Sequence, residues 1–240
     1  MRAGGACVRS AAVLLMLAQV GGAQTFTPPQ GCTGFLTVQA RGCKVSNHYR
    51  CSADAPGDQW RVDFNAEGPY FVSRIDYETQ WVFSLDLGDG TEQRLAPNPA
   101  DPASFSALLA TGTDSYDFLQ TGSDGRSTRV RGFDTLTGRT VTIDGIALEE
   151  TSFELRESLL DGTVLNTGRG REYIHRDWRL FFSGPSEWDG GGGFEPLDRR
   201  PVTFAQPGET GFMSSKPTFD CDAQLARAPA PAQEIRHDPL

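Results

Sequence analysis

Lysine is almost absent from this 240-residue chain: only Lys44 and Lys216 occur, and histidine is nearly as scarce, at three residues. With His237 near the C-terminus, His48 and His175 are left in the body, a supply that disfavours a multi-histidine zinc or iron centre. Also missing are G-x-S-x-G, a phosphate-binding P-loop, G-x-G-x-x-G, H-E-x-x-H and any N-x-S/T glycosylation site. No apolar run beyond residue 23 approaches the roughly 20 residues that a membrane-crossing helix needs. These absences remove the common nucleotide, metalloprotease and nucleophile-elbow chemistries.

The N-terminus has the layout of a secretory signal. Arg2 and Arg9 precede an apolar core from Ala11 to Val20, and Gly21-Gly22-Ala23 supplies small residues for cleavage after Ala23. Residues 1–23 are therefore expected to be removed, leaving a soluble periplasmic or secreted protein. Cys7 precedes the apolar core and cannot serve as a lipid-anchored first residue. Loss of Arg2 and Arg9 takes the formal charge from −9 to −11, which disfavours nucleic acid and anionic membrane surfaces as partners.

Four cysteines remain, Cys32, Cys43, Cys51 and Cys221, an even number suited to two disulfides in an oxidising compartment. Their spacing lacks the close C-x2-4-C pairs of zinc sites. Cys32 to Cys51 reads as a hairpin with a two-residue turn at Arg41-Gly42. That turn sets Ala40 opposite Cys43, Val38 opposite Val45, and Cys32 opposite Cys51. An extended 43–51 strand would separate its ends by ~25 Å, too far for one bond, so Cys32–Cys51 and Cys43–Cys221 are the favoured pairs.

From Gly34 onward the period of the pattern is two. Trp60, Val62 and Phe64 share a face, with Arg61 and Asp63 between them, and Trp81, Phe83, Leu85 and Leu87 and then Trp178, Leu180 and Phe182 repeat the pattern. Asp89-Gly90, Asp124-Gly125, Thr137-Gly138, Asp144-Gly145 and Asp161-Gly162 each mark a strand reversal. One helix is expected over 102–111, with Asp101 as N-cap, Pro102 as N1 and Gly112 at its end. The expectation is one all-β domain over 24–222, an antiparallel meander curled into a barrel, half-barrel or two-layer sandwich with one short helix. Residues 223–240 read as a disordered tail, and Gly190 to Gly193 as a loop outside the core.

Candidate chemistry is sparse. His175 and Asp177, two apart on an expected strand, share a face and can form an acid/base pair, although the pattern places them toward solvent with no nucleophile in view. His48 is expected to be a solvated strand residue. The carboxylates of Asp86 to Glu92 fit a hairpin turn better than a calcium loop. Glu150 and Glu154 alternate with Phe153 and Leu155 as a solvated strand face would, which leaves little for glycosidic chemistry. No cofactor or metal is assigned.

Two stretches, Cys43-Lys44-Val45-Ser46-Asn47-His48-Tyr49-Arg50-Cys51 through Trp60 and Gly68-Pro69-Tyr70-Phe71-Val72-Ser73-Arg74-Ile75-Asp76 through Trp81, resemble exported alphaproteobacterial proteins that carry no assigned function. The resemblance covers most of the mature chain and brings no catalytic residues. The functional expectation is a non-enzymatic binding module for a small apolar ligand or a protein partner. The alternatives are a periplasmic hydrolase built on His175, Asp177 and converging glutamates, and an envelope structural or assembly factor.

Overall fold

The structure, a computed structural model, describes residues 25–222. The segments expected to be a signal, 1–23, and a tail, 223–240, lie outside the described residues. Among the described residues no helix is long and apolar enough to cross a membrane.

Thirteen strands follow in chain order: β1 (Cys32–Ala40), β2 (Lys44–Cys51), β3 (Gln59–Asn65), β4 (Gly68–Ile75), β5 (Trp81–Asp86), β6 (Glu92–Leu95), β7 (Thr113–Gly122), β8 (Ser127–Ile143), β9 (Ile146–Leu159), β10 (Val164–His175), β11 (Leu180–Asp189), β12 (Glu195–Asp198) and β13 (Pro201–Ala205). A helix, α1 (Phe105–Thr111), interrupts them. All thirteen strands form one antiparallel sheet in which β1 to β12 lie in sequence order and β13 pairs with β1. Only Arg199 and Arg200 separate β12, paired with β11, from β13, so residues 195–205 touch both edges of the sheet. No ladder joins β12 to β13. The fold is thus a strongly curled meander that stops short of a closed barrel.

Four of the five Asp-Gly-like dipeptides lie in strand reversals. At the β8–β9 turn Asp144 and Gly145 both adopt positive φ, 50° and 77°, as a two-residue primed hairpin requires. Thr137-Gly138 is a correction: it is a bulge inside β8, where the register shifts between Leu136 and Thr140 while β9 runs straight past. Glu150 of β9 sits beneath that bulge. Its carboxylate accepts a bond from Thr137 Oγ1 at 3.0 Å and pairs with Arg139, which buries it where a solvated face was expected.

The first hairpin also departs from expectation. Its turn uses three residues, with Cys43 at φ 54°, so Gln39 opposes Val45 and Val38 opposes Ser46. A bulge at Phe35 then absorbs the slip, and Cys32 still opposes Cys51. A slip of one residue exchanges the two faces of a strand. Leu36 and Val38 therefore share a face with Ser46 and His48, while Val45, Asn47 and Tyr49 take the other. Disulfides link Cys32 to Cys51 and Cys43 to Cys221.

Both faces of β2 are covered, which is why Val45 through Tyr49 are all buried. On the convex side Val45, Tyr49, Val62 and Phe64 pack beneath Phe26, whose ring lies 5.7 Å from those of Tyr49 and Phe64. The C-terminal segment completes this roof. Met213 N–H donates to Thr37 Oγ1 at 2.7 Å, Asn47 Nδ2 donates to the Ser214 carbonyl at 2.8 Å, and Cys221 ties the segment to Cys43. On the concave side Leu36 and Val38 meet Leu148, Tyr173, Leu180 and Phe182 across the curl.

The helix starts later than the sequence implies. Ser104 is the N-cap, its Oγ accepting from Ala107 N–H at 3.1 Å, and Gly112 closes the C-terminus at φ 85°. Asp101 instead bridges to Asp117 and accepts from Ser115 Oγ, so its carboxylate is already engaged outside the helix. Phe105 and Leu108 pack on Ile174, with the cross-strand partner of Ile174, Phe181, against the same cluster. Glu78 holds the helix start through Ser104 and Ser106, and Arg179 bonds to Ser106.

Candidate functional site

The curl forms a half-open cavity of about 310 Å³ between β2–β4 on one wall and β9–β12 on the other. Its composition follows from strand pairing. Val45 opposes Phe64 and Asn47 opposes Val62, so these four share the convex face, and the residues that alternate with them, Lys44, Ser46, Arg61 and Asp63, point inward. The charged half of the period-two pattern thus lines the interior in this part of the sheet.

Asp63 is the hub of that wall. Its carboxylate lies 3.0 Å from Lys44 Nζ and 3.2 Å from Arg61 Nε, and accepts from Ser46 Oγ at 2.6 Å. Burial pushes the Asp63 carboxyl up, but Arg61, then Lys44 and the Ser46 hydroxyl, overcome it and hold it at about 2. Lys44 responds in the opposite sense. Burial outweighs the attraction of Asp63 and, with Arg61 and Arg199 nearby, brings its ammonium down to about 8.

The facing wall brings Arg171 and Glu172 from β10, with Phe153, Trp188 and Leu197 beside them and Arg199 from the crossover between the sheet edges. Burial raises Glu172 well above the usual carboxylate range, and the charge of Asp134 adds to it. Glycines allow the wall to be this close. The Trp188 ring lies over Gly168, where a Cβ would come within 2.7 Å of it. Four cations, two acids and an aromatic floor therefore meet in one space. It can take up a small molecule that has an anionic group and an apolar body.

His48 extends this interior. It is a correction to the sequence reading: the ring is 4 % exposed, between Phe35 and Phe182, because the concave face of β2 is covered. Burial and then the Arg61 charge hold it neutral, at about 3. A smaller space of about 70 Å³ lies beside it, bordered by His48, Gln59 and Trp81, and Arg61 borders both cavities.

His175 and Asp177 are not brought together as a strand pair. β10 ends at His175, and residues 176–179 form a turn. The His175 ring stacks on Trp178 at 3.9 Å and its Nδ1 accepts from Trp178 N–H, while Asp177 is exposed. Neither borders the cavity. Glu149 pairs with Arg176, and the Asp86 and Asp89 carboxylates accept amides of their own turn. Among the described residues no group of three histidine, cysteine, aspartate or glutamate side chains is placed to hold a metal.

The class defined by fold and site is an all-β, disulfide-bonded meander with a charged interior chamber. No family model, no curated protein and no solved structure matches the chain.

Proposed function

We propose that the protein is an exported, non-enzymatic binding module whose ligand is a small amphipathic acid held in the chamber. The observation that carries this reading is the convergence of Lys44, Arg61, Arg171 and Arg199 on a space also walled by Phe71, Phe153 and Trp188. An expectation of a purely apolar ligand is narrowed accordingly, since cations that line a partly sheltered cavity are favourably met by an anion. Two disulfides suit an oxidising compartment, and export into an alphaproteobacterial periplasm or beyond is part of the proposal.

Isothermal titration with 4-phenylbutyrate tests it, with 4-phenylbutanol as the neutral counterpart. The acid is expected to bind at least about tenfold more tightly than the alcohol, as one charge-assisted bond of ~1.5–3 kcal/mol implies. Combining Arg171→Ala with Arg199→Ala is expected to remove that preference. Equal binding of acid and alcohol, or no binding, counts against the reading. The hydrolase alternative would be favoured by turnover lost in His175→Ala, and the envelope-factor alternative by specific capture of one envelope protein by a variant with its chamber filled.

A further inference from the structure

Lys44 is the one lysine within the described fold that is withdrawn from the surface; Lys216 is exposed. Lys44 borders the cavity, and its carboxylate partner does not depend on it, because Asp63 also pairs with the Arg61 charge and accepts a hydrogen bond from Ser46 Oγ. Glu172, on the facing wall, is a carboxyl whose hold on its proton is strengthened by burial and by the charge of Asp134. A desolvated lysine that shares a cavity with a carboxyl is an arrangement that imine chemistry uses.

We propose that Lys44 captures a small oxo acid as an imine, with the ligand carboxylate taken by Arg171 and Arg199 and Glu172 serving as proton donor. This rests on the reading of the chamber as an anion-binding space and names its ligand class. The neutral amine adds to the carbonyl carbon, a C–N bond forms, and one nitrogen proton passes to the former carbonyl oxygen. Glu172 protonates that hydroxyl, water leaves, and the nitrogen lone pair closes the C=N bond. The second nitrogen proton returns to Glu172, so amine and carbonyl give imine and water with no change in oxidation state.

The groups around Lys44 set its readiness. Asp63 and Arg61 face it from β3, Tyr70 lies on β4, Arg171 and Glu172 on β10, Arg199 on the crossover and His48 on its own strand. Of these only Asp63 holds the proton on firmly, and burial opposes it.

Glyoxylate with sodium cyanoborohydride, followed by peptide mass mapping of the folded full chain, converts the imine into carboxymethyl-lysine and reports each amine separately. At pH 7 Lys44 is expected to be labelled roughly tenfold faster than Lys216. Compared with an ordinary lysine the neutral fraction of Lys44 is larger by roughly 200–300-fold, partly offset by the lower nucleophilicity of a weaker base. Labelling of Lys44 should level off above pH 8, run faster with glyoxylate than with propanal, and slow in Glu172→Gln while Lys216 keeps its rate. Labelling of Lys216 at an equal or greater rate overturns the proposal, as does equal labelling of Lys44 by propanal. If 4-phenylbutyrate binds but Lys44 is not labelled, the chamber reading stands and the imine proposal fails. If neither occurs, both fail.

Discussion

Lys44 Nζ stands 3.0 Å from Asp63 Oδ2 on the inner surface of the curled sheet, both side chains almost fully enclosed. An ion pair there is not a device for stability, because the desolvation of both charges offsets most of their attraction. What it does is fix charge inside the protein, and the neighbouring ionisable groups adjust to it. His48 loses its proton more readily than an ordinary imidazole and Glu172 holds its proton more strongly than an ordinary carboxyl, so the pH response of the fold reports on the chamber.

His48 makes the fold acid-sensitive. Its folded value of about 3 lies below the ordinary 6.5, so between those values the unfolded chain binds a proton that the native state refuses, and stability falls as pH falls. The loss from this group is about 3 kcal/mol by pH 4 at ~1.4 kcal/mol per unit. Urea unfolding at pH 7 and pH 4 should show it, and His48→Gln should flatten the difference. An imidazole signal of His48 that titrates near pH 6.5 would contradict its enclosure.

Glu172 acts at the other side of neutrality. A carboxyl raised by folding is protonated in the native state at pH values where the unfolded chain has lost the proton, so stability falls as pH rises above the unfolded value of ~4.3. The slope attributable to it is at most about 1.4 kcal/mol per pH unit. Glu172→Gln is expected to be more stable than the parent at pH 8 and to differ little from it at pH 4. Asp134, raised in the same sense by burial, keeps a residual slope in the variant.

Much of the architecture was legible in residue pattern, and the site was not, for one physical reason. Period two marks strands and the Asp-Gly turns mark reversals, so the meander and its short helix follow from local chemistry. The alternation of Arg61 and Asp63 with Trp60, Val62 and Phe64 states only that two faces differ. The charged face turns inward because Phe26 and the Met213–Ser214 segment, distant in sequence, cover the apolar one. The signal that was available lay in pairing: once Val45 is set against Phe64, Lys44, Ser46 and Asp63 share a side. His48 and Glu150 were misread for the same reason, since each is covered by an element that the local pattern does not contain. Thr137-Gly138 carries the same dipeptide chemistry as a turn, and only the uninterrupted partner β9 makes it a bulge.

The two disulfides should differ in weight. Cys43–Cys221 spans 178 residues and Cys32–Cys51 spans 19, so the chain-entropy model assigns them about 5 and about 3 kcal/mol. Replacing each pair by alanine and measuring urea unfolding at pH 7 should give the larger loss for the long loop. That variant also frees the end of the segment roofing Thr37 and Asn47, so amide exchange should rise in β1 and β2. A greater loss from the Cys32–Cys51 variant would mean that strain or unfolded-state structure, not loop closure, dominates here.

Gly168 lets the cavity-lining ring of Trp188 lie against the backbone of β10. A Cβ there would stand 2.7 Å from three atoms of the Trp188 ring, closer than carbon atoms approach, and Trp188 also packs on Phe153 and bonds Ser186 through Nε1 at 3.1 Å. The ring can yield only by tilting into the cavity or by breaking those contacts. Gly168→Val is therefore expected to cost about 1–3 kcal/mol, as overpacking does. It should also weaken 4-phenylbutyrate binding and shift tryptophan emission, with Lys44 and Asp63 untouched in sequence. If the variant keeps both stability and binding, Trp188 is not held against β10 and the cavity wall is looser than the contacts at Gly168 imply.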